Sequence, residues 1–222
     1  MTLPRGIALG EYYHVYNRGA GKHTLFRDTK DYARFLFLVT YLQSPVQFPH
    51  ISKVVQTFKS DAGFEVDEQD FSNILRARYI ELVAFCVMPN HYHLIVRELV
   101  EGGTARYMQR IGDAYSKYAH AKQGKSGHVF QGPYQSRLID TNTYLTHLSA
   151  YIHRNPRDLK GWKGREQEYP WSSYQDYVKE NRWGGLLAQE IILDQFEGTT
   201  KSNYADFVKS SPAKGFDDPL SK

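Results

Sequence analysis

The sequence of 222 residues has few of the features that mark secreted or membrane proteins. Cys86 is the only cysteine, so an intramolecular disulfide is impossible and we expect a reducing compartment. No apolar run approaches the roughly 20 residues that a membrane-spanning helix needs. Residues 1–9 contain no long apolar segment and do not have the pattern of a signal peptide. These absences predict a cytoplasmic protein.

Acidic residues are scarce in one part of the chain. Residues 104–165 contain 11 Lys and Arg but only 3 Asp and Glu, although the whole chain has a net charge of only +4. A local excess of positive charge is typical of a surface that binds a polyanion such as nucleic acid. Charge alone leaves a merely solvated surface as an alternative. The 17 tyrosines could stack on bases, but tyrosine also serves as ordinary half-buried packing.

Two histidines follow a turn between two apolar runs, at Pro89-Asn90. Side chains alternate along a strand, so His91 and His93 point to one face and Tyr92 to the other. Two imidazoles side by side on a strand form half of a divalent-metal site. The alternative is structural, because isolated strand histidines are commonly half-buried polar residues.

A second motif, Tyr-Ile-His-Arg-Asn-Pro, occupies residues 151–156. On a helix Tyr151 and Asn155 lie one turn apart on a shared face. A tyrosine hydroxyl, an asparagine amide and the metal-binding histidine pair would together form a nucleophilic centre. Asn155 could instead be only the last helical residue before a proline. His153 faces elsewhere, which favours a structural role or a phosphate contact, and His14 is a weaker candidate metal ligand.

The periodicities predict an α+β chain with the order β-α-β-β-α-β followed by a helix. Strands are expected at residues 11–17, 78–85, 91–98 and 134–139, and the main helices at 28–42, 104–122 and about 141–155. This order is a ferredoxin-like arrangement with an antiparallel sheet, in which the strand with both histidines lies near the centre. Shorter helices are expected at 52–59, 67–76, 186–196 and 202–209, with a flexible tail after residue 210.

Five motifs occur in an order that resembles a known family. They are residues 13–19 (Tyr-His-Val-Tyr-Asn-Arg-Gly), 87–96, 130–134 (Phe-Gln-Gly-Pro-Tyr), 151–156 and 171–174 (Trp-Ser-Ser-Tyr). Together they resemble the His-hydrophobic-His (HUH) single-tyrosine transposases, and most closely the REP-associated tyrosine transposases. The resemblance covers roughly residues 11–175. It implies the ferredoxin-like fold and a transposase domain over residues 1–175. Two segments exceed the compact family pattern: residues 44–77, which we interpret as an insertion, and residues 176–222, which we interpret as a C-terminal extension, helical and then flexible.

The resemblance also implies an activity. It predicts a metal-dependent single-strand DNA endonuclease and strand transferase that forms a 5′-phosphotyrosine at Tyr151, on single-stranded or hairpin-containing repeat DNA. His91, His93 and Asn155 would bind the metal, Mg²⁺ or Mn²⁺, with phosphate oxygens and waters completing the site. The protein would act as a monomer or a homodimer. The predicted DNA contacts are Arg18, Lys117, Lys122, Gln131, Arg137, Arg154 and Arg157.

Two other functions fit parts of the pattern. One is a nucleic-acid-binding regulator that has lost catalysis, which would need no such set of histidines, tyrosine and amide. The other is a metal-dependent phosphodiesterase that uses activated water without a covalent intermediate.

Overall fold

A computed structural model describes residues 7–124, 126–196 and 200–211. Its sheet has four strands in the order β2-β3-β1-β4, and every neighbouring pair is antiparallel. The strands are β1 (Tyr12–Arg18), β2 (Ile80–Met88), β3 (His91–Glu98) and β4 (Gln135–Ile139). The predicted α+β fold is confirmed, and β3, which carries both histidines, is one of the two central strands.

Eight helices are present in the described ranges, with short 3-10 turns between some of them. They are α1 (Thr29–Tyr41), α2 (Ile51–Val55), α3 (Glu68–Arg76), α4 (Gly103–Gln123), α5 (Asn142–Arg154), α6 (Tyr174–Val178), α7 (Glu190–Leu193) and α8 (Thr200–Ser210). The predicted order of β1, α1, β2, β3, α4, β4 and α5 is therefore observed. None of the helices in these ranges is long and apolar enough to cross a bilayer.

Capping side chains determine where two of the main helices begin. The Asp28 carboxylate accepts a hydrogen bond from the Asp31 amide at 3.1 Å, and α1 starts at the next residue. The Thr141 hydroxyl accepts one from the Tyr144 amide at 3.1 Å, and α5 starts after it. Such caps satisfy amides that have no partner inside the helix. Asp28 and Thr141 are therefore the N-terminal capping residues of α1 and α5.

The register of the sheet separates its two faces. His91 lies opposite Arg18 on β1, and His93 lies opposite Tyr16. Helix α5 packs on this face, where the rings of Tyr151 and His93 are 5.7 Å apart. Tyr92 points to the other face, and α1 and α4 pack against that face. The predicted alternation along β3 is confirmed.

The β2–β3 hairpin is tighter than the sequence predicted. Strand β2 continues to Met88, which pairs with His91, so Pro89 and Asn90 alone form the turn. The prediction ended β2 at residue 85 and left residues 86–90 to the turn. Proline cannot donate to a ladder, but residues up to the one before it can still pair. Cys86 is fully buried on this strand, and burial raises the pKa of its thiol.

Residues 44–77 form part of the packed structure. Helix α3 begins after Asp67, as predicted, while α2 is shorter than the predicted 52–59. Phe64 and Ile74 are buried, and the Phe64 ring lies 5.4 Å from that of Phe37 in α1. The classification of this segment as an insertion stays a prediction.

The chain beyond residue 170 covers the outer edge of β2. The Ser173 amide donates to the Phe85 carbonyl at 3.0 Å, and the Ala188 amide donates to the Leu82 carbonyl at 2.9 Å. The predicted helix over 186–196 was too long. Residues 187–188 pair with β2 instead of being helical, and α7 has only four residues. Helix α8, Thr200–Ser210, contains the predicted 202–209. The first residue of the predicted flexible tail, Ser211, is buried, and the rest of that tail lies outside the described residues.

Candidate active site

The two histidines of β3 lie side by side at the end of the strand nearest the turn. Their ring centroids are 5.1 Å apart and their planes are nearly perpendicular, at 80°. His93 is completely buried, whereas His91 is partly exposed. A ligand would therefore reach this pair from the side of His91.

One ring nitrogen of His93 is held by a hydrogen bond, and the other is buried and has no hydrogen-bond partner within the described ranges. Its Nδ1 is 2.9 Å from Nε2 of His14, on the neighbouring central strand. Its Nε2 has no hydrogen-bond partner among the described residues. Burial, and secondarily the neighbouring His14 and His91, hold the pKa of His93 well below its usual range. The ring is therefore neutral, as a metal-ligating imidazole must be.

His91 is oriented by a different residue. Its Nδ1 lies 2.7 Å from Oδ1 of Asn90, whose own Nδ2 donates to the Lys22 carbonyl. An oxygen there accepts the Nδ1 proton, so in the neutral ring, the form that binds a metal, Nε2 of His91 carries a lone pair. That Nε2 is 3.4 Å from Oδ1 of Asn155. Two electron-rich atoms facing each other at this distance are better matched to a cation between them than to each other.

Asn155 has two neighbours in the site. Its Nδ2 donates to the Tyr151 carbonyl at 2.9 Å, which directs Oδ1 toward His91. Asn155 also ends α5 and starts the 3-10 turn Asn155–Asp158. Asn155 therefore lies at the end of the helix, as the alternative interpretation held, and it also lies beside the histidines.

Tyr151 lies one helical turn before Asn155 and is half-buried. Its ring meets that of His93 edge-on, with the planes at 80°. The structure therefore brings together His91, His93, Tyr151 and Asn155 from two elements that are distant in sequence. A phenol hydroxyl, two imidazoles and an amide oxygen can position a phosphate and a divalent cation beside a nucleophile.

The donor set fits a divalent metal only if an amide takes part. Within residues 7–124, 126–196 and 200–211, no three His, Cys, Asp or Glu side chains are grouped so that they could hold a metal. The Nε2 atoms of His91 and His93 with Oδ1 of Asn155 supply three neutral donors. The buried Nε2 of His93 is the observation that best supports the fit, because a buried polar atom normally has a partner.

The predicted DNA contacts differ in their surroundings. Lys117 and Gln131 are exposed, and Arg18 lies opposite His91 in the sheet. Arg137 on β4 lies opposite His14 and places its guanidinium 5.4 Å from the centre of the Tyr144 ring. Arg154, on α5, has a buried Nη1 with no hydrogen-bond partner in the described part of the chain. A phosphate is a natural acceptor for such a donor.

Two other predicted DNA contacts already have carboxylate partners. Nζ of Lys122 lies 2.7 Å from Asp28 and 2.5 Å from Asp31. Arg157 pairs with Glu166 at 3.5 Å. Their positive charges are therefore largely balanced within the chain, which leaves less attraction for a phosphate.

His153 lies away from this centre, in the core between α5, α6 and α8. Its Nδ1 is 2.6 Å from the Tyr204 hydroxyl and its Nε2 is 2.8 Å from the Ser173 hydroxyl. Burial lowers its pKa to about 3, so the ring is neutral. Of the two roles considered for His153, this environment favours the structural one.

The contact that sequence reasoning missed is the one between His14 and His93. Alternation along β1 places His14 and Tyr16 on one face, which is a usable signal. The signal does not say which residue of β3 they meet, because the register of the two strands was unknown. In the structure the His14 ring stacks on His93 with centroids 5.1 Å apart.

Comparison with known proteins adds two findings. Residues 56–155 match the family model of IS200-like transposases, and this range includes the histidine pair, Tyr151 and Asn155. A solved structure of a REP-associated tyrosine transposase bound to a REP hairpin superposes with a TM-score of 0.53 at 15% sequence identity. The match covers 86% of this chain and 93% of that chain. A search of curated proteins gave no significant match.

The two findings agree with the geometry at different levels. The structural match concerns the fold, because 15% identity is too low to transfer an activity. The family match covers the segment that carries the four site residues and supports a transposase function. The resemblance is therefore confirmed: this chain is similar in sequence to the IS200-like transposases and in fold to a REP-associated tyrosine transposase.

Proposed function

We propose that this protein is a metal-dependent single-strand DNA endonuclease and strand transferase that uses Tyr151 as its nucleophile. The observation that carries the proposal is the convergence of Tyr151 with the histidine pair and Asn155 on one face of the sheet. A protein that only binds DNA would not need the buried Nε2 of His93, which has no hydrogen-bond partner among the residues that the structure describes.

The metal site would use three atoms of this chain. Nε2 of His91, Nε2 of His93 and Oδ1 of Asn155 would hold Mg²⁺ or Mn²⁺, and a phosphate oxygen with waters would complete the coordination. The bound cation supplies positive charge that stabilises the phosphate as negative charge builds up in the transition state. Asn90 and the Tyr151 carbonyl orient His91 and Asn155 for this task.

Tyr151 would carry out the covalent step. Its hydroxyl oxygen attacks the scissile phosphorus and loses its proton to solvent, while the bond from phosphorus to the 3′ oxygen breaks. The 3′ oxygen takes up a proton and leaves as a 3′ hydroxyl. The product is a 5′-phosphotyrosine, which conserves a phosphodiester bond, so a 3′ hydroxyl of another strand can reverse the step without ATP.

The substrate class follows from charge and from the structural neighbour. Residues 104–165 carry the positive excess noted above, and Lys117 and Arg137 present part of it at the surface. The similar transposase was solved with a REP hairpin. We therefore infer that the substrate is a short DNA hairpin with a single-stranded flank, bound by a monomer or a homodimer.

The proposal is tested with labelled hairpin DNA on a denaturing gel. Wild-type protein with Mg²⁺ or Mn²⁺ should give a protein–DNA adduct and a shorter strand, and chelator should abolish both. Tyr151→Phe should lose the adduct, because the attacking oxygen is gone. Tyr144→Phe, on the same helix, is the matched control and should retain it.

Each other outcome supports a different function. Cleavage that persists in Tyr151→Phe without an adduct indicates hydrolysis by activated water. Hairpin binding by wild-type protein without cleavage under any metal condition indicates a regulator. Loss of the adduct in both tyrosine variants would mean that α5, rather than the Tyr151 hydroxyl, was disturbed.

A further inference from the structure

We propose that His14 is a positioning residue for the metal site: it holds the His93 ring in the tautomer that keeps Nε2 unprotonated and directed at a divalent cation. The inference deepens the proposed function and depends on it for the presence of the metal. It assigns a role to a buried polar residue that the covalent chemistry at Tyr151 does not use.

The contact between the two histidines is made in the middle of the sheet. His14 is on β1 and His93 on β3, the two central strands of the sheet. Only 2% of His14 and 0% of His93 is exposed to solvent. Their rings are stacked at an interplanar angle of 24°, with Nε2 of His14 at 2.9 Å from Nδ1 of His93. Neither ring can turn without breaking this packing.

A hydrogen bond between two imidazole nitrogens needs one proton, and there are two ways to supply it. If His14 donated, the proton of His93 would be on Nε2, where it would be buried without an acceptor among the described residues. If His93 donates through Nδ1, its Nε2 carries a lone pair instead. That lone pair also has no partner in the described part of the chain, but a cation can satisfy it.

The other metal-ligating histidine is arranged in the same way. His91 donates its Nδ1 proton to Asn90, and its Nε2 faces Asn155. Each histidine therefore has its own anchor on Nδ1, and both would present Nε2 to the metal. Such partners fix the tautomer and orientation of a metal-ligating imidazole. This parallel argues for His14 as the anchor of His93 rather than as a ligand itself, because its Nε2 is already bonded.

Two substitutions separate a hydrogen-bonding role from a packing role. In His14→Gln the amide oxygen can lie near the former Nε2 and still accept from His93. In His14→Leu the side chain fills the space but cannot accept. The Mn²⁺ dissociation constant, measured by electron paramagnetic resonance, should rise about 10- to 100-fold in His14→Leu and much less in His14→Gln. Tyr144→Phe, on α5 but outside the set of four site residues, should bind Mn²⁺ like wild type.

The second measurement needs neither metal nor DNA. Nitrogen-15 NMR of the histidine rings in metal-free protein reports which nitrogen of His93 carries the proton. We expect Nδ1–H in wild type and in His14→Gln, and a shift toward Nε2–H in His14→Leu. If His14→Leu fails to fold, the wild-type tautomer still decides the question.

Three results would overturn the inference: a wild-type His93 protonated on Nε2, an unchanged Mn²⁺ affinity in folded His14→Leu, or no Mn²⁺ binding by wild type. Failure of the proposed function looks different. Mn²⁺ binding that depends on His14, in a protein that never forms the DNA adduct, would sustain the role of His14 and contradict the transferase.

Discussion

Asn155 is the residue on which the composition of the metal site depends. Two imidazoles are too few ligands, and the described residues offer no third His, Cys, Asp or Glu to join them. The amide of Asn155 supplies an oxygen 3.4 Å from His91 while its nitrogen is held by the Tyr151 carbonyl. The residue therefore connects the metal ligands to the helix that carries the nucleophile.

Replacing Asn155 tests whether its oxygen is a ligand. Asn155→Ala should weaken Mn²⁺ binding at least about tenfold and reduce adduct formation, because one donor of the site is lost. Asn155→Asp keeps an oxygen and adds negative charge, so it should bind Mn²⁺ at least as tightly as wild type. Calorimetric titration with Mn²⁺ measures both variants.

The control for this pair is Gln131→Ala, an exposed predicted DNA contact that should leave Mn²⁺ affinity unchanged. Equal Mn²⁺ affinity in wild type and Asn155→Ala would remove Asn155 from the ligand set. Its hydrogen bond to Tyr151 would then be its only role in the site.

Local spacing explains how much of the site the sequence could predict. His91 and His93 share a face because strands alternate, and Tyr151 and Asn155 share one because they are four residues apart on a helix. Neither relation depends on the rest of the fold. The pairing of His93 with His14, 79 residues away, depends on the register of β1 and β3 and could not be predicted from spacing.

At the scale of elements, one lysine ties the start of α1 to the end of α4. Nζ of Lys122 contacts Asp28, the α1 cap, and Asp31, which is almost fully buried. The Tyr118 hydroxyl also donates to Asp31, at 2.9 Å. The sequence predicted Lys122 as a DNA contact because it lies in the basic segment. Partners more than 90 residues away cannot be seen in a charge count.

Lys122→Met and Lys117→Met form a matched pair on α4. Lys122→Met should lower the free energy of unfolding by about 1–3 kcal/mol, because buried Asp31 loses a charged partner. It should change DNA affinity little. Lys117 is exposed, so Lys117→Met should leave stability within about 0.5 kcal/mol of wild type and weaken DNA binding. Urea unfolding and hairpin binding by fluorescence anisotropy measure the two effects.

The effect of Lys122 on stability should depend on pH. The hydrogen bond from Lys122 holds the pKa of Asp28 below its ordinary value of 3.8. A carboxyl with a lowered pKa in the folded state stabilises the fold above that ordinary value and loses the contribution as pH falls through the folded pKa. The stability difference between wild type and Lys122→Met should therefore shrink below pH 3.8. A constant difference from pH 7 to pH 3, or weaker DNA binding in Lys122→Met than in Lys117→Met, would contradict this interpretation.

At the scale of the whole molecule, the chain after residue 175 is packed onto the parts that hold the site. Residues 187–188 cover the edge of β2, which pairs with β3. The Tyr204 hydroxyl of α8 bonds to Ser149 and His153, both on α5. The sequence predicted helices in this region but not what they contact, because short amphipathic segments carry no information about their partner. The boundary at residue 175 remains a prediction based on family resemblance.

The contribution of that region to the stability of the fold can be judged from its buried side chains. Tyr177, Trp183 and Tyr204 each expose 1% of their surface or less. Truncating one such aromatic residue typically costs about 3–5 kcal/mol, while a whole domain has a stability of about 5–15 kcal/mol. The combined cost of losing all three side chains is comparable to the entire free energy of unfolding of such a domain.

We therefore expect that a chain ending at residue 175 does not fold on its own, although the family motifs lie within it. It should show no cooperative thermal transition by circular dichroism and should aggregate, because the edge of β2 and its apolar neighbours are uncovered. A chain ending at residue 211, which retains every helix described here, is the matched control and should show a cooperative transition. A cooperative transition in the 1–175 chain, with hairpin binding intact, would instead make the C-terminal region a dispensable addition to a self-sufficient domain. If the prediction holds, Tyr151 and the histidine pair depend for their geometry on a region that the motifs alone do not include.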